Sequence, residues 1–305
     1  METILITGGS GMIGSALIPK LLEMGYRVRV LSRSKQPIEG VEVFTWDVDQ
    51  ETIETGALAG VDHIIHLAGY DVSSGRWTNK RKQLIYDSRI KSIHVLRKHL
   101  NNQKINAFIS ASGVSIYGTV TTEKIFTEDD VPESYDDNDF LAKVSKDWEA
   151  AADLFSANAD RVVKVRTPVV LSRSGGALER IAKPVKMGVG VALGSGKQYV
   201  PWVHIDDLVQ FYIKSIADKK FEGPYNVVAP DHVTNNQLTQ AIAHALNKKI
   251  WLPNAPSFVL KLMFGQMANI VLKGSRVSSE KLLRTGFEFD HSELNESVKN
   301  LMLDR

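Results

Sequence analysis

Three glycines at fixed steps near the start of the chain are the residues best suited to chemistry. Gly8, Gly11 and Gly14 stand in ILITGGSGMIG with G-x-x-G-x-x-G spacing. Glycine at Gly8 lets the backbone turn sharply. At Gly11 it removes a Cβ that would hold an anion away from main-chain N–H groups. At Gly14 it lets a following helix sit close to the preceding strand. The start of this helix offers unpaired N–H donors and a partial positive charge to an anion, and Met12 and Ile13, between the last two glycines, are expected to line the cofactor with Gly14. The chemistry implied is the binding of a dinucleotide's diphosphate; the alternative is a flexible loop between strand and helix.

A second set follows roughly 20 residues on, where a dinucleotide-binding fold selects its coenzyme. An acid there bonds a ribose 2′-hydroxyl and repels a 2′-phosphate. This chain instead reads Leu31-Ser32-Arg33-Ser34. The planar fork of Arg33 can grip a phosphate, and Ser32 and Ser34 add hydroxyl donors. NADP rather than NAD is the expected cofactor; the competing reading is a surface arginine. Asp47, after the third strand, either holds the adenine amino group or ties a turn. In HLAG, Leu67, Ala68 and Gly69 end a buried strand, and the two small residues leave room for the cofactor.

The elements that must position these groups are legible in outline. Apolar runs predict strands at Ile4–Thr7, Tyr26–Ser32, Val41–Trp46, Val61–Gly69, Ala107–Gly118 and Arg161–Leu171, with later ones at Tyr199–Ile205, Tyr225–Val228, Lys249–Leu252 and Phe287–Phe289. Helical spacing predicts helices over Ser15–Met24, Lys80–Leu100 and Phe140–Ala157. Asp206 is expected to cap a helix. Tyr70–Asn79 reads as a loop at the carboxyl edge of the sheet, where Trp77 forms a stacking wall or pins the loop to the core. Thr119–Asp139 reads as an acidic loop or lid. Six strand–helix units predict an α/β fold, a doubly wound parallel sheet (Rossmann) with a smaller mixed C-terminal substrate lobe. Residues 1–172 and 202–229 form the cofactor domain, and 173–201 and 230–305 the lobe.

Composition narrows the function. The net charge of +2 gives no field for nucleic acid or an anionic membrane. The absence of cysteine excludes disulfides, thiolate metal sites and cysteine nucleophiles, and is compatible with a cytoplasmic location. His63 and His66, three apart on a strand, point to opposite faces and make a poor metal pair. No leader and no spanning segment is expected.

Taken together, the chain resembles the extended short-chain dehydrogenase/reductase superfamily. TGGSGMIG, HLAG, SASGVSIYG, RTPVVL and WVHIDDL match its landmarks. A finer resemblance is to an atypical branch of epimerase-family proteins of uncharacterised substrate, through RWT at Arg76, Ser88-Arg89, WEAAA from Trp148 and GSRV…KLLRTGFEF. The resemblance implies that Arg89 and Val170 line the cofactor site, that Ser112 corresponds to the catalytic serine, and that His204 and Asp206 are scaffold. It also implies a helix pair, Lys80–Leu100 and Phe140–Ala157, able to form a homodimer, although Trp148 on the second helix could equally face the monomer's own core. The superfamily's Tyr-x-x-x-Lys pair is missing: Phe140 and Val144, or one residue on Leu141 and Ser145, stand in its place. Tyr117, Tyr70 and Tyr135, with Lys143 or Lys146 close in sequence, are the remaining candidates for proton transfer, a structural role being the alternative for each. Two functions follow: an NADP-dependent oxidoreductase or epimerase-like enzyme on a small polar or sugar-like substrate, or a non-catalytic NADP(H) sensor or regulatory protein.

Overall fold

The sheet is organised around β1 (Thr3–Thr7), whose five residues are all buried. Ile4 and Ile6 face one side and Leu5 the other, so the strand is apolar on both faces, as a central parallel strand must be. The structure is a computed structural model describing residues 1–136 and 139–303. From β1 the glycine turn leads into α1 (Met12–Glu23), then β2 (Arg27–Ser32), β3 (Glu42–Asp47), β4 (Thr52–Ile53) and β5 (His63–His66). There follow α2 (Asn79–Asp87), α3 (Ile90–Leu100), β6 (Ile105–Gly113), β7 (Ile125–Phe126), α4 (Phe140–Asp153), β8 (Ala159–Thr167) and β9 (Val169–Leu171). The remainder comprises α5 (Gly176–Lys186), β10 (Trp202–His204), α6 (Ile205–Ala217), β11 (Gly223–Asn226), α7 (Asn235–Ala245), α8 (Ser257–Phe264), α9 (Asn269–Leu272), β12 (Arg276–Val277), α10 (Glu280–Leu283) and α11 (Leu294–Leu303).

Eight strands form one sheet in the order β11-β8-β6-β5-β1-β2-β3-β4. All neighbours are parallel except β3 and β4. The strand order reverses between β1 and β5, which opens a crevice at their carboxyl ends. On one face α1 and α6 pack Leu17, Leu21, Leu208 and Phe211 against Ile4, Ile6, Val28 and Val163. On the other, α3 and α4 pack Ile93, Leu96, Val144 and Trp148 against Leu5, Ile64 and Phe108. Trp148 thus faces the monomer's own core. A third core joins Leu178 of α5, Leu238 and Ile242 of α7, and Val298 of α11 around Trp202.

Several expected boundaries move, each for a local reason. The strand Arg161–Leu171 is two, broken at Pro168, which has no N–H to give to a ladder. The helix Lys80–Leu100 is also two. At the break the Ser88 and Ser92 hydroxyls bond the carbonyls of Ile85, Ser88 and Arg89, competing with the helix's own ladder. His204, not Asp206, caps α6: its Nδ1 accepts the Asp206 N–H at 3.1 Å. Lys249–Leu252 and Phe287–Phe289 are irregular, whereas β4, β7 and β12 are additional two-residue strands. Within the acidic stretch, β7 pairs with β12; residues 137 and 138 lie outside the described residues.

Candidate functional site

The glycine turn is held by contacts that leave no space for side chains. Gly8 has φ +72°, and a Cβ there would lie 2.8 Å from the Leu67 carbonyl carbon and 2.9 Å from the Ala68 nitrogen. Gly8 therefore does more than turn the chain: it seats the loop on the end of β5. A Cβ at Gly14 would come within 2.6 Å of the Gly9 Cα, so this glycine packs α1 onto the turn itself rather than onto the strand. Thr7 completes the joint, its carbonyl and Oγ1 accepting from the Leu67 and Ala68 N–H groups at 3.1 and 3.2 Å.

What this joint leaves open matters most. Gly11 sits at the N-cap of α1 and brings no side chain to bond the helix's first N–H groups. The first turn also lacks an acid. Main-chain donors at Met12, Ile13 and Gly14 consequently have no partner within the helix, with the positive end of the helix behind them. The Met12 sulfur lies 3.2 Å from where a Cβ on Gly176 would stand, with the Val170 carbonyl oxygen 3.9 Å from that point. This brings Val170 and the segment after β9 to the same mouth.

Arg33 borders an open cleft of about 360 Å³ shared with Thr45, Trp46, Asp47, Thr52, Ile53 and Glu54. Its guanidinium makes no hydrogen bond or ion pair among the described residues. Ser32 Oγ accepts the Ser34 N–H at 3.4 Å. Glu54 is an acid in this cleft that strand-end reasoning misses, because it arrives just after β4. Its charge is already matched: Lys35 Nζ at 2.6 Å, helped by the N–H and hydroxyl of Thr45, holds its carboxyl down at about 2. Asp47 ties a turn, with Oδ1 accepting from the N–H groups of Asp49 and Gln50.

Arg89 stands at the break between α2 and α3. It lies over the Trp148 ring at 5.0 Å and donates to the carbonyls of Tyr70 and Ile85 at 3.1 and 3.0 Å. A Cβ on Gly69 would be 3.0 Å from its guanidinium carbon. Burial pushes it down to about 10, and no carboxylate pairs with it among the described residues. It is a desolvated cation beside the end of β5, supplied with neutral acceptors only. A side chain at Gly69 would press on the guanidinium and displace it by a few tenths of an ångström.

The residues expected to do proton chemistry have a different fate. Ser112 is buried and donates to Glu149 Oε1 at 2.7 Å. Glu149 makes a two-pronged pair with Arg166, at 2.8 and 2.9 Å. Arg166 Nη1 donates to the Tyr117 hydroxyl at 2.8 Å, and that hydroxyl donates to Asn226 Oδ1 at 2.6 Å. Burial pushes the Tyr117 phenol well above its ordinary range. Burial alone would lower the Arg166 guanidinium, but the Glu149 carboxylate holds it above its usual value. Ser112 and Tyr117 are thus members of one buried chain of donors and acceptors, with both hydroxyls engaged. Tyr135 donates to the Ile116 carbonyl at 2.6 Å, and Lys146 to the Glu133 carbonyl.

At the tyrosine position of the missing pair, Phe140 meets Trp77 edge to face at 5.2 Å, and Val144 is buried. Trp77 pins its loop, its Nε1 donating to the Val72 carbonyl. Nearby, Ser115 and Ser145 place their hydroxyls 2.8 Å apart beside Gly113, at the carboxyl end of β6. Nothing in the spacing of SASGVSIYG sets Ser115 apart from Ser112. Its partner comes from α4, far along the chain.

The site therefore has two groups of residues. Gly8, Gly11, Met12, Ile13, Gly14, Leu67, Ala68, Gly69, Arg89 and Val170 converge on the crevice where the sheet reverses, with Ser32, Arg33, Ser34 and Asp47 at its outer end. Ser112 and Tyr117 belong to the buried network instead.

Comparison with known proteins agrees with this geometry. Residues 4–247 match the model of the NAD dependent epimerase/dehydratase family, and residues 255–301 match a domain of unknown function, DUF1731. The chain is 34% identical over 306 residues to the epimerase family protein YfhF of Bacillus subtilis, covering 99% of this chain and 98% of that one. It superposes on the crystal structure of human epimerase family protein SDR39U1 (isoform 2), solved with NADPH. The TM-score is 0.88 at 30% identity, covering 99% of this chain and 100% of that one. A UDP-glucose 4-epimerase from Thermotoga maritima, at TM-score 0.78 and 20% identity, shares the fold. No helix among the described residues is long and apolar enough to cross a membrane. An intact glycine turn, an uncapped first helix and a full-length match all lead to the same assignment: the chain belongs to the NAD dependent epimerase/dehydratase family, as an atypical extended short-chain dehydrogenase/reductase.

Proposed function

We propose that the protein binds NADP(H) and is an oxidoreductase or epimerase-like enzyme that works without a Tyr-x-x-x-Lys pair. The observation carrying this reading is Arg33, a cation just after β2 with no partner among the described residues, in a cleft where Glu54 is matched by Lys35 and Asp47 ties a turn. The open N–H groups of α1 would hold the diphosphate, Arg33 the 2′-phosphate, and Arg89 a further oxygen of the cofactor at the end of β5. When bound, the nicotinamide supplies the hydride chemistry. The NADPH in the human relative's structure supports the choice of coenzyme.

For the acceptor, the Ser115–Ser145 hydroxyl pair supplies donors at the carboxyl end of β6, and Phe140 and Trp77 give an apolar wall in place of the tyrosine. The hydroxyls orient and polarise an acceptor oxygen, and a proton comes from solvent or substrate, since phenylalanine has none to give. The test is NADPH oxidation against a panel of carbonyl compounds and sugar nucleotides. Ser115→Ala should lower kcat on an accepted substrate with NADPH affinity unchanged, whereas Tyr117→Phe should mainly lower the melting temperature.

The second reading, a cofactor-binding sensor without turnover, is favoured by one observation: Ser112 and Tyr117 are fully engaged inside the protein. Stereospecific loss of the NADPH hydride to any member of the panel contradicts it. Tight NADPH binding with no oxidation across the panel favours it.

A further inference from the structure

The whole-chain charge of +2 conceals a very uneven distribution. Residues 180–205 and 232–279 carry nine lysines and arginines and no aspartate or glutamate. Among the described residues Lys183, Lys186, Lys248, Lys249, Lys261 and Lys273 are exposed and make no ion pair. The same two tracts hold six of the fourteen large apolar side chains that the fold leaves exposed among the described residues. Trp251 is 71%, Phe258 72%, Leu262 76% and Met187 69% exposed, with Met263 and Val189 close behind.

These side chains lie on one connected surface. Trp251 Nε1 donates to the Gly188 carbonyl at 3.0 Å, which sets the indole beside Met187 and Val189. The Ala255 N–H bonds the Ala192 carbonyl, and the Gly194 N–H bonds the Ala255 carbonyl, each at 2.9 Å. Pro256 then opens α8, whose sequence SFVLKLMF buries Leu260 and presents Phe258 and Leu262 one turn apart. Single exposed apolar residues are ordinary, but a tract of six rimmed by unpaired lysines is not.

We infer that this face docks on an anionic lipid surface. A lipid interface supplies hydrocarbon for Phe258, Leu262, Met263 and Trp251 and negative head groups for the lysines in the same plane. A second copy fits poorly, because a two-fold contact through this patch sets lysine against lysine. A nucleic acid would satisfy the lysines but leave Leu262 and the methionines in water. The inference does not depend on the proposed reaction.

Co-sedimentation with phosphatidylcholine vesicles, with and without phosphatidylglycerol, tests it on the whole chain. The expected result is binding to the anionic vesicles stronger by about tenfold or more. Phe258→Glu with Leu262→Glu should abolish it, and Lys248→Glu with Lys249→Glu should weaken it by about tenfold. All four substitutions are at exposed positions, so the melting temperature and NADPH affinity should stay the same. Equal partition onto neutral and anionic vesicles, no binding to either, or full binding by the Phe258→Glu/Leu262→Glu variant would overturn the inference. So would duplex DNA bound with the same dependence on these residues in place of vesicles, or a dimer in sedimentation velocity that the glutamates dissolve.

Discussion

Arg33 and Arg166 carry the same guanidinium and stand at the carboxyl ends of two strands of one sheet, yet their surroundings are opposite. Arg166 is buried, doubly bonded to Glu149, and bonded again to Tyr117 and the Glu128 carbonyl. Arg33 is exposed, with no partner among the described residues. Ser112 and Ser115 repeat the contrast, one locked to a buried carboxylate and the other half-buried beside a second hydroxyl. A group whose donors are all engaged holds the fold together. A group whose donors are open, on a backbone that cannot move, is available to a ligand. On this criterion the crevice between β1 and β5 is the proposed binding region, and the network from Ser112 to Asn226 is structural.

Loss of Arg166 should break the comparison most severely if it is wrong. Arg166→Met strands the Glu149 carboxylate in the interior and should cost about 4 kcal/mol of stability. The fraction that remains folded should bind NADPH as before, read by thermal melting alongside calorimetry below the transition. Gly14→Ala comes next. Its methyl would meet the Gly9 backbone at 2.6 Å, costing about 3 kcal/mol and distorting the first turn of α1. Here stability and NADPH affinity should fall together, unlike Arg166→Met. A drop in affinity for Arg166→Met equal to that for Gly14→Ala would erase the distinction between the two regions.

A smaller effect follows from His66, the last residue of β5, buried against Ser92 and the Trp148 ring. Burial pushes this imidazole down to about 3, with Arg89 adding to the effect. The folded state therefore keeps it neutral while the unfolded chain takes up a proton below its ordinary value of 6.5. The stability it contributes is complete above pH 6.5 and is lost as pH falls toward 3. By pH 5 the loss is about 2 kcal/mol, at roughly 1.4 kcal/mol per unit. Urea titrations at neutral and acid pH should show that slope, and His66→Asn should flatten it whatever its own stability.

The sequence already contained the parts of the site that depend on backbone. Glycine has few reasons to recur at three fixed steps after a buried strand, so Gly8, Gly11 and Gly14 were legible, and with them the parallel sheet. Arg33 was legible as a candidate because a dinucleotide-binding fold selects its coenzyme just after β2, with a surface arginine as the competing reading. Partnerships between distant side chains were not legible. Nothing local in SASGVSIYG distinguishes the locked Ser112 from the open Ser115, since that depends on Glu149 and Ser145 arriving on α4. Glu54 escaped for the same reason, reaching the Arg33 cleft only through the antiparallel pairing of β4 with β3. The broken helix at Ser88 was hidden because the apolar spacing continues across it, while serine hydroxyls interrupt the ladder. Net charge says nothing of how charge is distributed, because an average over the chain cannot show that two tracts hold no acid.

The central claim is that an open cation after β2 selects the phosphorylated coenzyme. Isothermal titration of the wild-type protein and Arg33→Ala with NADPH and NADH tests it directly. The account predicts that the wild type prefers NADPH and that Arg33→Ala loses about 2 kcal/mol toward NADPH alone, roughly thirtyfold in Kd. Affinity for NADH should not change. Equal binding of the two coenzymes by the wild type, or an unchanged NADPH isotherm in the variant, would contradict it.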